Sequence, residues 1–243
     1  MRKIVIVGLA FCSLTVVVLT LGYLLFIGKI RFNYPDKNEY PVLGIDISHH
    51  QGKIRWDELK KENLSFVIIK ATEGGDYKDP LFTENWTNSK KEGYKTGAYH
   101  FYRLCKNGTE QAQNFIATAP NDLSNLPPTI DLEFGGNCKT DKSKEQILKE
   151  VNDFLQALEK HYNKKPILYA TKEFYDEYLK TILLDHPLWI RDIFRKPLLE
   201  NEREWLIWQF ANREHLEGID TYVDLNVVNG KSAIEWIMER YQI

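Results

Sequence analysis

The sequence predicts an α/β fold: an irregular eight-stranded (β/α) barrel, TIM-like in plan but with some late helices missing. Three observations predict it. From residue 42 the chain alternates eight short apolar runs with polar, often helical, segments; alternating strand and helix builds a parallel sheet, and eight strands suggest closure. The segments after the sixth and seventh runs lack a clear helical period, which makes the barrel irregular. The 243 residues, 43% of them hydrophobic, suit one domain of barrel size, or two small ones, with a sizeable core. An open doubly wound sheet is the alternative, but no glycine-rich nucleotide loop accompanies it.

Ile4 to Ile27 is a run of 24 residues without a charge. As a helix it would be about 36 Å long, enough to span a bilayer. A cleaved signal peptide is the rival reading, but the run is long for one and no small-x-small site follows it. Leu9 to Cys12 only faintly resembles a lipoprotein box, because Phe11 stands where a small residue belongs. An uncleaved membrane anchor through residues 4–27 is therefore expected, with 1–31 forming a cytoplasmic tip plus anchor. The rest of the chain would then lie outside the cytoplasm, in a periplasm or at the cell surface; secretion after cleavage is the alternative. Arg2 and Lys3 oppose Lys29 and Arg31, so charge barely discriminates the orientation. Residues 32–41 read as a polar linker broken by prolines.

The barrel is assigned to 42–243. Its runs are 42–48, 66–72, 96–102, 127–134, 166–171, 188–193, 206–211 and 222–228. Helices are expected over 109–119, with Thr109 as a candidate N-cap, and over 144–162, where Ile147, Val151, Phe154, Leu155 and Leu158 recur at helical spacing. A last helix is expected over 232–241.

The first 31 residues hold four basic residues and no acid, and the remainder carries 28 basic against 34 acidic residues. That acidic balance excludes a nucleic-acid partner, which requires a basic footprint. No metal-site spacing is present; His49 and His50 are adjacent and would alternate faces in a strand, so they are not a chelating pair. No cofactor is expected. Cys105 and Cys138 each follow a predicted strand by a few residues. In a reducing compartment they would be two thiols; in an exported domain the pair is expected to be bonded.

The stretch PPTIDLEFGGN, residues 127–137, carries the chemistry. A strand alternates its side chains, so Asp131 and Glu133 share one face. Two carboxylates on one buried face are costly unless they are paired or one keeps a proton. Further acids sit in or just beyond other runs: Asp46, Glu73, Asp192 and Asp224. In a barrel of this kind the chemistry lies at the C-terminal ends of the strands. Aromatic and amide side chains share those ends: Tyr99, Tyr169, Trp189, Trp208 and Gln209. Aromatic faces stack on sugars, and amides and acids bond hydroxyls, although core packing explains many such rings equally well. Lys70 lies in an apolar run and requires a carboxylate partner, which a neighbouring strand could supply.

Taken together these residues resemble glycoside hydrolase family 25, the CH-type lysozymes, from about Val42 to the end. The resemblance rests on an ordered set: GIDISHHQG with Asp46, Ser48, Gln51 and Gly52; FVIIKATEG; GAYHFY; DLE at 131–133; then PILYAT, LWI, WQF and VDLN. Arg55, Arg191, Asp192 and Val228 depart from the family's usual residues. The resemblance implies a muramidase cleaving the β-1,4 bond after N-acetylmuramic acid. Glu133 would be the general acid/base and Asp131 its partner, orienting the substrate's N-acetyl group. Asp46 and Asp224 would be the other acids of the cleft. Tyr99, Tyr169, Trp189, Gln209 and Glu73 are the candidate substrate-binding residues, peptidoglycan glycan strands the partner, and a monomer the expected state. A non-catalytic glycan-binding barrel and a chitinase-like glycosidase are the alternatives.

Overall fold

The computed structural model describes residues 2–230 except positions 28, 31, 32, 123 and 201, and side chains from position 11 onward. The chain divides into two compact units, 1–34 and 35–243. The first contains helix α1 (Arg2–Phe26). Phe11, Leu14 and Val16 to Leu19 are all exposed on it, and Cys12 is a free thiol. Among the described residues no helix is long and apolar enough to cross a membrane. The helix expected over 232–241 lies outside the described residues.

The second unit contains β1 (Leu43–Ile47), α2 (Trp56–Leu59), β2 (Phe66–Glu73), β3 (Tyr77–Lys78), α3 (Phe82–Lys91), β4 (Lys95–Phe101), α4 (Gly108–Ile116) and β5 (Thr129–Leu132). There follow α5 (Lys144–Tyr162), β6 (Ile167–Thr171), α6 (Lys172–Phe174), which runs into a π-helical turn, β7 (Leu188–Arg191), β8 (Ile207–Glu214) and β9 (Val223–Val228). All eight expected runs form strands. They close a barrel in the order β1, β9, β8, β7, β6, β5, β4, β2, with β2 returning to β1. The two-residue β3 hangs antiparallel from the end of β2.

The barrel is mixed, which corrects the expectation of an all-parallel sheet. β9 runs antiparallel to both β8 and β1. The reason is the connection: eight residues without a helix join β8 to β9. So short a link can only turn the chain back, whereas a parallel neighbour needs a long crossover.

Strand alternation divides the apolar residues into two cores. Phe66, Ile68, Ile167, Tyr169, Trp189 and Ile207 pack together inside the barrel. Their neighbours Val67, Ile69, Leu168 and Ile190 face outward and pack with the helices. Gly44 is paired with Phe66 across β1 and β2, and a Cβ there would lie 2.4 Å from the Phe66 ring. The missing side chain is the space that ring fills.

The five apolar residues expected to form the buried stripe of α5 are all buried. Its N-terminus is a capping box in which Ser143 Oγ accepts from the Gln146 backbone and Gln146 returns the bond; Asn163, at a φ of 51°, ends it in the left-handed conformation. The cap of α4 is Asn107, not Thr109. Its extended backbone lets the amide oxygen accept from the Glu110 N–H at 3.1 Å. Gly108 meets α5 so closely that a Cβ would lie 1.9 Å from the Glu150 carbonyl oxygen. Tyr40, in the stretch read as a linker, is buried and stacks on Trp205 with ring centroids 5.8 Å apart.

Candidate active site

The C-terminal ends of the parallel strands surround an open cleft of about 450 Å³. Asp46, Asp131, Glu133 and Asp224 all line it, as do Tyr99, Tyr169, Trp189, Gln209 and Glu73. The nine residues assigned catalytic or substrate-binding roles thus meet in one place, whereas Asp192 and Trp208 do not line it. Asp46 and Asp131 end the inward-facing rows of β1 and β5. Glu133 follows two residues later, beyond the strand, and is half-buried. Asp224 reaches the same rim only because β9 is reversed: the start of an antiparallel strand lies beside the ends of its parallel neighbours. It is the directly paired residue of Asp46.

Asp46 stands at the centre of a hydrogen-bonded chain. Its Oδ2 accepts from Gln209 Nε2 at 3.0 Å and from Asn226 Nδ2 at 2.7 Å. Tyr169 Oη donates to Gln209 Oε1 at 3.0 Å, and Trp189 Nε1 donates to Asn226 Oδ1 at 2.8 Å. The two rings meet edge to face at 4.7 Å. The polar atoms of Tyr169, Trp189 and Gln209 are therefore engaged in holding Asp46, while these residues also line the cleft. Asn226 escaped the sequence reading, although it lies two residues after Asp224 on the same face of β9. Trp208 packs in the outer core and donates to the Asp192 carbonyl.

Burial and mutual repulsion hold the acids protonated beyond their usual range. Burial pushes Asp131 well up, and the charges of Glu133 and Asp46 push it further. Burial also raises Glu133, with Asp46 adding to the rise and Arg191 and Lys70 opposing it. Asp224 is raised well above the ordinary carboxylate value by burial, by the charge of Asp46 and by a hydrogen bond to it. Burial raises Asp46 as well, opposed by the two amides and by the bond to Asp224. The two carboxyls therefore compete for a proton, and the amide donors favour the charged form of Asp46. Among the described residues Asp131 Oδ1 is buried without a hydrogen-bond partner.

Glu73 lines the cleft in an ion pair. Lys70 Nζ donates to its Oε2 at 2.7 Å, and Arg103 Nη1 lies 3.4 Å from its Oε1. The partner of Lys70 thus comes from its own strand rather than a neighbour, because a bulge after Lys70 shifts the β2–β4 register and turns the two side chains together. Lys70 also lies 5.0 Å from the Phe101 ring centroid. His49 and His50 sit in a 3₁₀ turn capped by Ser48, not in a strand. Their rings lie 4.0 Å apart, and His49 Nδ1 is 2.7 Å from Asp79. Among the described residues no group of three or more His, Cys, Asp or Glu side chains is arranged to hold a metal ion.

Cys105 and Cys138 are bonded, with Cα atoms 5.9 Å apart. The bridge joins the loops beyond the neighbouring strands β4 and β5. Beside it Asn137 Nδ2 donates to the carbonyls of Tyr102 at 2.8 Å and Glu133 at 2.9 Å, and its Oδ1 accepts from the Leu104 N–H at 3.0 Å. Asn137 carried no signal in the sequence beyond its place before a cysteine.

The sequence pattern of Glycosyl hydrolases family 25 matches residues 45–219. The chain is 33% identical over 196 residues to uncharacterized protein YegX of Escherichia coli (strain K12), covering 79% of this chain and 71% of the relative. It is 31% identical over 204 residues to Lysozyme M1 of Streptomyces globisporus, covering 79% and 69%. A solved family 25 glycosyl hydrolase from Bacillus anthracis aligns at a TM-score of 0.80 and 40% identity, over 88% of this chain and 99% of that one.

Proposed function

Because the chain belongs to Glycosyl hydrolases family 25, it is a glycoside hydrolase of the muramidase kind acting on peptidoglycan, and we propose that Glu133 and Asp131 carry the cleavage. Glu133 protonates the glycosidic oxygen between N-acetylmuramic acid and N-acetylglucosamine as that bond breaks. Asp131 accepts the acetamide N–H of the scissile sugar, which turns the acetyl oxygen toward the anomeric carbon. Glu133, now ionised, takes a proton from the water that completes hydrolysis. Asp46, paired with Asp224, supplies negative charge near the developing oxocarbenium. Tyr99 and the faces of Tyr169 and Trp189 border the sugar rings.

One observation carries this division of labour. Among the described residues Asp131 Oδ1 is a buried oxygen without a partner in the lining of the cleft, and a substrate amide would satisfy it. Glu133 is more open, where a leaving oxygen and a water have access. Identifying the sugar at the new reducing end of digested peptidoglycan tests the reading: N-acetylmuramic acid is expected, and N-acetylglucosamine would overturn the bond assignment.

The site of action lies outside the cytoplasm, where the substrate is. The anchor belongs to the same proposal: residues 4–27 hold a monomeric enzyme at the membrane. The uncharged sequence and the exposed apolar residues of α1, from Phe11 to Leu19, support it. Fractionation tests it, since an enzyme released by high salt without detergent would contradict an inserted helix.

A further inference from the structure

A second cleft, of about 440 Å³, opens beside the first over the ends of β6 and β7. Nothing in the proposed cleavage uses it. Its walls carry three cations, Lys172, Arg191 and Arg195, against Glu173 and Asp192. Asp192 is turned onto its own loop, where Oδ1 accepts from the backbone N–H groups of Phe194 at 3.0 Å and Arg195 at 3.1 Å. Lys172 is paired with Asp176 at 2.6 Å. Arg195 reaches Asp192 only at 3.8 Å and is 74% exposed. The Arg191 side chain makes no hydrogen bond or ion pair among the described residues. Phe194 stands at the same wall, 82% exposed.

Arg191 also sits at the border of the two clefts. It follows two residues after Trp189, which lines the catalytic cleft, so both point to the same side of β7. Its charge reaches all four acids and opposes their retention of protons. A guanidinium left without a carboxylate partner, with a second one and an exposed ring beside it, fits an anion that has an apolar portion. Planar guanidinium suits carboxylate through paired N–H donors.

We propose that this cleft binds a carboxylate on the side arm of the muramic acid unit, held by Arg191 and Arg195, with Phe194 against the apolar part of the arm. The inference rests on the muramidase reading and adds a substrate preference to it. A carboxylate there has two sources: the lactyl group itself where the peptide has been removed, or the stem peptide where it is present.

The test compares peptide-bearing glycan with glycan stripped of peptide by an amidase, which frees the lactyl carboxylate, each before and after its carboxylates are converted to amides. Amidation should raise the wild-type KM roughly tenfold on the glycan that carries the bound carboxylate, the effect of losing one charge-assisted bond at a part-exposed site. Arg191→Met and Arg195→Met should show that rise on unmodified glycan, and their difference from wild type should disappear on the amidated one. A low KM on stripped glycan names the lactyl group as the source, and a high one names the stem; either outcome supports the pocket. A KM unmoved by amidation of both glycans, or a loss in the variants that persists in full on amidated glycan, overturns it. A wild type that releases no reducing ends from unmodified glycan overturns the muramidase reading instead. In that event calorimetric binding of unmodified against amidated fragments still decides the pocket.

Discussion

Asp46 and Asp224 are directly paired residues across the antiparallel β1–β9 ladder, and a hydrogen bond joins their carboxyls. Two amides donate to Asp46, which favours its charged form over that of Asp224, while burial raises both. The same competition extends to Asp131 and Glu133. A cluster of acids forced to share protons is suited to general acid catalysis, and it also costs stability.

The cost has a definite sign. Asp131 binds its proton more tightly in the folded protein than at its ordinary value of 3.8. The folded state therefore holds more protons, and stability falls as pH rises from near that value through the folded one. Asp131→Asn removes the penalty. Its thermal midpoint should exceed wild type at neutral pH, each kcal/mol being worth about 2–4 °C in a domain of this size. The gap should close in acid near the ordinary value. Calorimetry against pH checks this, and a variant melting below wild type at neutral pH would contradict it.

Glu133→Gln keeps size and hydrogen bonding but removes the transferable proton. Turnover should fall by about 10²–10⁴-fold, with glycan binding retained. In wild type the basic limb of the turnover profile should lie above the ordinary glutamate value of 4.5, because Glu133 is raised. Arg191→Met should move that limb to still higher pH, since the lost cation favoured the ionised form. Near wild-type lysis by Glu133→Gln would end the assignment.

If Asp131 orients the acetamide, activity depends on the substrate's N-acetyl group. Wild type should cleave N-acetylated glycan and fail on de-N-acetylated glycan of equal length. Equal rates on the two, or a covalent sugar adduct trapped on Asp131 by a fluorinated substrate, would refute that role.

The disulfide closes a loop with a sequence separation of 33, worth roughly 3–4 kcal/mol in the chain-entropy estimate. It also fixes the loop in which Asn137 holds the Glu133 carbonyl. Reduction should lower the thermal midpoint and turnover together. Asn137→Ala, with the bridge intact, should lower turnover more than binding. Full turnover by the reduced enzyme below its melting range would show that the clamp does not serve the site.

Gly108→Ala places a Cβ against the Glu150 carbonyl, where neither backbone can yield cheaply. Overpacking of this kind typically costs about 1–3 kcal/mol, and a chemical denaturation midpoint unchanged from wild type would contradict the close approach.

The strands and the helix over 144–162 were legible in the chain alone, because apolar periodicity and caps are local properties. Asp131 and Glu133 were legible for the same reason: an i,i+2 pair in a strand shares a face whatever surrounds it. Other features depended on which strands became neighbours. Asp224 stands near the start of its run, which in an all-parallel barrel is the wrong rim; the helix-free return from β8 reversed β9 and brought it to Asp46. Lys70 found Glu73 only through a bulge set by pairing with β4. Tyr169, Trp189 and Gln209 were recognisable as residues of the cleft, but their polar atoms support Asp46 through partners 37 to 163 positions away in sequence. Arg191 stood out as an unusual residue. That it faces both the acids and a second cleft was decided by the tertiary structure, because charge and cavity arise only where distant segments close around the same space.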